Sequence, residues 1–199
     1  MLPDALFWNV HMYGIMIALG ILACFLVLYL YSKHLGIETR LVDFAFYDGV
    51  FSIVVGFGAA ALVQATLNYI EDPAAGFRIG SGITVVPGLI GGAGFFLIVY
   101  FLLRKRMKLH LLDILPVVPC CITVAHAFGR IGCFFAGCCY GRETTSPLGV
   151  HFKYVSGVRL PTQLFEAAFL FLLFAALTLL VLKWKCPYTL SIYLVAYGI

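Results

Sequence analysis

Charge is scarce in this chain. Asp, Glu, Lys and Arg together make up 11% of its 199 residues, against about 25% in an ordinary soluble domain. That excludes a fully hydrated surface. A chain of this length cannot hide 63% apolar residues in one soluble core, and its mean hydropathy is +1.04. The solvent it is built for is lipid. Internal repeats, low-complexity tracts and Cys-x-x-Cys pairs are also missing, which removes solenoids, disordered linkers and the usual zinc or redox spacings. The opening MLPDALFWNV lacks a basic stretch and a small-residue cleavage site. The first hydrophobic segment is therefore read as a permanent span rather than a cleaved signal.

Long apolar runs are what the sequence does have. A bilayer core about 30 Å thick needs about 20 apolar residues per helix. The runs predict spans near 13–31, 44–67, 83–103, 109–128 and 164–182, with a sixth beginning near 188 and incomplete at 199. The expected fold is an all-α polytopic transmembrane helix bundle. It is read as one transmembrane domain over 1–199, with a polar re-entrant or periplasmic insertion at about 129–160. Gly56, Gly58 and Ala59 to Ala61 suit close helix contact in the second span. If the spans alternate, eight of the thirteen basic residues share one side, including Lys33, Arg40, Arg104 to Arg106 and Lys183. That side is expected to be cytoplasmic, with the N-terminus and the insertion outside.

Polar chemistry concentrates in one stretch. GRIGCFFAGCCYGR, residues 129–142, holds two arginines, four glycines and three cysteines. Arg130 directly follows an apolar run. An Arg at a membrane boundary is costly unless paired or wetted, and its planar fork suits phosphate. Gly129, Gly132, Gly137 and Gly141 would let backbone N–H groups approach a ligand. With Arg142, Arg159, Gln163 and Glu166 nearby, this reads as a site for an anionic lipid headgroup. The plainer alternative is an Arg that snorkels to the interface beside glycines that only turn the chain. In RLPTQLFEA, residues 159–167, Thr162 is a candidate N-cap, with Gln163 and Glu166 on the first turn of the last complete span. Capping alone would account for Thr162 and Glu166, but not for Arg159 or Gln163.

HMYGIMIALG, PGLIGG, GRIGCFFAGCCYGR, RLPTQLFEA and LSIYLVAYGI occur in that order along the chain. Ordering, spacing and topology resemble the bacterial prolipoprotein diacylglyceryl transferase family across nearly the whole length. Each motif alone is a weak signal; the ordered set is a strong one. The resemblance implies a multi-pass enzyme of the bacterial inner membrane. Such an enzyme moves the diacylglyceryl group of phosphatidylglycerol onto the lipobox cysteine of a prolipoprotein signal peptide. It implies Arg130 as the phosphate anchor, with Tyr13, Gly141, Arg142 and Glu166 in the same cavity. Its expected partners are the donor lipid, the prolipoprotein and the bilayer, with no nucleic acid and no cofactor or metal.

Three departures fall on motif positions. The family's His before its Gly-Gly-Leu-Ile-Gly run is Val86 here, and its motif Asn and Glu are Cys133 and Cys138. The family's later Gly-Arg-Phe segment would begin after Ile199. His126, four residues before Arg130, is the candidate replacement base; His11 and His151 are poorer ones. The thiols leave a second reading open, a redox or metal role for Cys133, Cys138 and Cys139 with His126. An inactive, lipid-binding relative is a third. Cys24, Cys120, Cys121 and Cys186 read as apolar packing residues.

Overall fold

In a computed structural model, residues 11–79 and 84–198 are described. Six helices follow one another: α1 (Met12–Leu35), α2 (Thr39–Glu71), α3 (Val85–Met107), α4 (Val118–Ala136), α5 (Thr162–Leu182) and α6 (Thr189–Gly198). Between α4 and α5 lies a two-stranded antiparallel hairpin, β1 (Val150–His151) and β2 (Val158–Arg159). Among the described residues, α1 to α5 are each long and apolar enough to cross a bilayer, and α6 is a shorter apolar helix. The all-α polytopic expectation holds. The helices form two compact units, one of α1 with α4 to α6 and one of α2 with α3.

In the first unit α4 is the central helix, packed on α1 and α5. Its buried face carries Cys120, Cys121, Thr123, Val124 and Ala127. The α1 side is close because glycines permit it. A Cβ on Gly20 would stand 3.0 Å from the Ala125 carbonyl oxygen, and one on Gly132 would stand 3.2 Å from the Tyr13 ring. The α5 side is filled by larger side chains. Leu170, Leu173, Leu177 and Val181 form a buried stripe at helical spacing, and Phe128 meets Phe171 edge-on at 5.7 Å. Fully buried Thr189, at the start of α6, donates its hydroxyl to the Pro116 carbonyl at 2.8 Å.

The second unit is a small-residue seam. Gly56 and Gly92 let backbones touch: a Cβ there would lie 2.8 Å from the Gly88 oxygen and 2.9 Å from the Ser52 oxygen. Ala59 and Ala60 face Gly91 and Gly88. Gly58, expected in the same contact, has open space beside it.

Span boundaries differ from the expectation in ways with clear causes. The second span is longer, at 33 residues. The fourth begins at Val118 rather than 109, after a 3-10 turn at Leu111–Asp113, because Pro119 fits only the first helical turn. It also runs past 128 to Ala136, where Gly137 at φ 72° ends it. The polar insertion therefore starts at 137, not 129, and Arg130, Gly132 and Cys133 are helical. The N-terminal ten residues, positions 80–83 and Ile199 lie outside the described residues. The signal-peptide reading and the outermost residues of the third and sixth spans fall there.

Candidate functional site

The extension of α4 puts His126 and Arg130 one helical turn apart on a continuous helix. Glu166 of α5 faces them. One terminal nitrogen of Arg130, Nη2, pairs with Glu166 Oε2. The other carboxylate oxygen, Oε1, accepts from the Tyr197 hydroxyl of α6 at 2.8 Å. That hydroxyl also lies 3.5 Å from His126 Nε2, with the two rings edge-on at 5.0 Å. The phenol has one proton, and Glu166 takes it. The His126 contact then needs Nε2–H as donor, which leaves the neutral ring's lone pair on Nδ1. Four side chains from three helices thus form one hydrogen-bonded array.

The array is partly open. Side-chain exposure is 27% for Arg130, 24% for Glu166 and 30% for His126. Arg130 Nε is buried and unpartnered. The guanidinium has five donors; Nη2 is committed to Glu166 and the side chain stays 27% exposed, which leaves donor capacity for an incoming phosphate.

A second group of candidates shapes the turn that leaves α4. Cys139 sits in the left-handed region at φ 59°. Its carbonyl accepts from the Thr162 hydroxyl at 3.1 Å, and the Cys138 carbonyl accepts from the Gln163 amide. Thr162 is therefore the first residue of α5 and a clamp on this turn, not an N-cap; Pro161 holds the cap position. Glu166 is the fifth helical residue, one position beyond the first turn where it was expected, and it faces Arg130. Gln163 is almost wholly buried, and its Oε1 has no partner. Gly141 donates to the Leu160 carbonyl at 2.8 Å, and a Cβ there would meet the Thr162 methyl at 2.7 Å. Phe152, 2% exposed, pins the hairpin against Phe134 and Tyr140.

Other expected site residues stand apart from the array. Arg159 lies 3.9 Å from Glu143 and over the Tyr140 ring. Arg142 is exposed, and among the described residues no contact joins it to the Arg130–Glu166 pair. Tyr13 packs its ring on Gly132 and lies within electrostatic reach of Cys133, Cys138 and Cys139. Val86, at the family's His position, is 62% exposed in the first turn of α3. Tyr197 was missed by sequence reasoning. Its signal was an aromatic one turn after Tyr193 in an otherwise apolar run, and the two rings stack.

The three thiols do come together. Their Sγ atoms lie within 4.8 Å of one another. His126 does not join them: seven residues from Cys133, it lies about 10 Å further along the helix axis, turned to Glu166. The four-ligand set reduces to three cysteines. Partial desolvation, with Cys133 and Cys139 beside it, pushes the exposed free Cys138 thiol up to about 12.

Comparison with known proteins gives the family. The family description "Prolipoprotein diacylglyceryl transferase" matches residues 4–199. The chain is 34% identical over 198 residues to the phosphatidylglycerol–prolipoprotein diacylglyceryl transferase of Clostridium tetani, covering 96% of this chain and 78% of that one. It is 33% identical to the second such enzyme of Clostridium perfringens, covering 96% and 76%, and 29% identical to that of Teredinibacter turnerae, covering 84% and 57%. The match spans both helix units and the Arg130 array: this chain belongs to the prolipoprotein diacylglyceryl transferase family.

Proposed function

We propose that this protein transfers the diacylglyceryl group of phosphatidylglycerol to the lipobox cysteine of prolipoproteins. The cysteine sulfur attacks the terminal glyceryl carbon. A C–S bond forms, the C–O bond to phosphate breaks, and its electron pair stays on the departing glycerol 1-phosphate. The carrying observation is the half-committed Arg130 fork, oriented by Glu166 and still 27% exposed. Preorganised donors aimed at charge that grows in the transition state are the main help a protein gives such a displacement.

Each member of the array has a role in this reading. Arg130 takes the phosphate. Glu166 and Tyr197 fix the guanidinium. His126, protonated on Nε2, presents Nδ1 as a base. Gln163 and Thr162 hold the turn that bounds the site, Tyr13 with Gly132 lines it, and Gly141 keeps the hairpin close. Arg142 and Arg159 supply positive potential for the lipid's anionic headgroup. The protein is multi-pass in the bacterial inner membrane, with its N-terminus outside; the supporting observation is eight basic residues against five on the two sides.

The test is transfer of labelled diacylglycerol from phosphatidylglycerol vesicles to a lipobox peptide, by wild type and Arg130→Ala. Wild type should form the thioether and the variant should not, while remaining folded. A folded, lipid-bound wild type that forms no thioether would reduce the protein to a binder.

A further inference from the structure

Three cysteines on one short stretch remain outside the roles above, and their arrangement is specific. Cys133 lies in the last turn of α4. Cys138 and Cys139 are adjacent in sequence, where an extended chain would point them apart. The left-handed backbone at Cys139 turns them together instead, with sulfurs 3.7 Å apart. Such a conformation is unfavourable for a residue with a Cβ and persists only where its surroundings enforce it. Here Thr162 and Gln163 enforce it by gripping the two carbonyls.

We propose that Cys133, Cys138 and Cys139 bind one zinc ion through three thiolates, leaving a fourth position open for the incoming thiol. Zinc–sulfur bonds of about 2.3 Å in a tetrahedron separate sulfurs by about 3.8 Å. Sulfurs already within 4.8 Å of one another close to that spacing by small side-chain movements. Among the described residues, no fourth His, Cys or carboxylate joins the group. Three protein ligands with one vacant position is the pattern of catalytic rather than structural zinc. Two of the cysteines are exposed and the third is half-buried, so the vacant position is reachable.

The identity of the fourth ligand rests on the transferase reading; the metal site does not. A thiol that coordinates zinc is deprotonated outright. The acceptor S–H proton passes to water, and the bound thiolate attacks the glyceryl carbon. The C–O bond breaks toward the phosphate held by Arg130. Cys133 is three residues after Arg130, on neighbouring helical positions, so nucleophile and leaving group meet at one end of α4. On this reading zinc, in place of His126, activates the acceptor thiol that Val86 cannot serve, and His126 keeps to its contacts with Tyr197 and Glu166.

The experiment uses the purified full chain in detergent, first with zinc and then with cobalt(II). About one metal ion per chain should bind, with the visible spectrum of three thiolates around tetrahedral cobalt. A lipobox peptide should shift that spectrum toward four thiolates; its Cys→Ser analogue should not. Cys133→Ser and Cys139→Ser should each lower metal affinity at least tenfold. Since either variant could unfold the turn, zinc should also shield wild-type thiols from iodoacetamide. Absence of stoichiometric metal, retention of it by both variants, or a spectrum indifferent to the peptide thiol would overturn the proposal. Metal and thiol binding without lipid transfer would keep the site and remove the transferase reading. Lipid transfer by metal-free protein would keep the transferase reading and overturn the open fourth position as the site of thiol activation.

Discussion

The Arg130–Glu166 pair can be tested as a pair. Arg130→Ala leaves Glu166 with the Tyr197 hydroxyl, His126 Nε2 at 3.8 Å and partial solvent. Breaking a fully buried ion pair costs about 3–5 kcal/mol, and an exposed one costs under about 1. At roughly a quarter exposure the expected loss is about 2 kcal/mol. Glu166→Gln alone strands the guanidinium and should cost a similar amount. The double variant removes both charges and keeps the Tyr197 hydrogen bond, so it should recover to within about 1 kcal/mol of wild type. Activity should behave differently. Loss of one donor to a developing oxyanion lowers kcat by about 100- to 1,000-fold, and restoring the fold does not restore the donor. Thermal denaturation in detergent reads the first quantity, and the lipobox-peptide assay reads the second. The double variant should be as stable as wild type and as inactive as Arg130→Ala. Recovery of both together would refute the reasoning, because Arg130 would then be a structural partner of Glu166 and nothing more.

Three further outcomes can be measured. Tyr197→Phe keeps the ring contacts with Tyr193 and His126 but loses the hydroxyl, so it should cost about 1 kcal/mol and leave more residual transfer than Arg130→Ala; equal losses would make Tyr197 a participant in the chemistry. Gly92→Ala places a methyl 2.9 Å from the Ser52 carbonyl and should destabilise by about 1–3 kcal/mol, whereas Gly94→Ala, with open space beside it, should be neutral or stabilising; melting curves that order them the other way would break the small-residue account of the α2–α3 seam. Asp48 is 5% exposed with an unpartnered oxygen, in a cavity of about 470 Å³ lined by Phe44, Phe51 and Phe95 among others. Asp48→Asn should raise stability by about 1–2 kcal/mol, and a fall on melting would mean that the carboxylate holds a donor there.

How far the sequence could be read follows from which interactions are local. Lipid-length apolar runs need no tertiary partner, so five spans were legible, with ends that shifted at a proline or glycine in α1 and α4 and by a few residues in α2 and α3. The end of α4 was misplaced because Gly129 and Gly132 look like breakers in a string of letters. In the structure Gly132 is a contact point that lets α1 approach, and the helix continues for two more turns past Phe128. That continuation is what aligns His126 with Arg130, so a boundary error of eight residues concealed the site's geometry while its residues were already named. Tyr197 was hidden for the opposite reason. Its partners lie 31 and 71 residues away in sequence, and no local pattern distinguishes an aromatic that faces lipid from one that donates to a carboxylate. The cysteines show the same limit from another side. Spacing rules argue against adjacent cysteines sharing one ion, because they assume a chain whose neighbouring side chains diverge. A single left-handed residue, held by two side chains from the next helix, removes that assumption. The meeting of the three sulfurs is thus set by contacts from α5 that no local pattern carries.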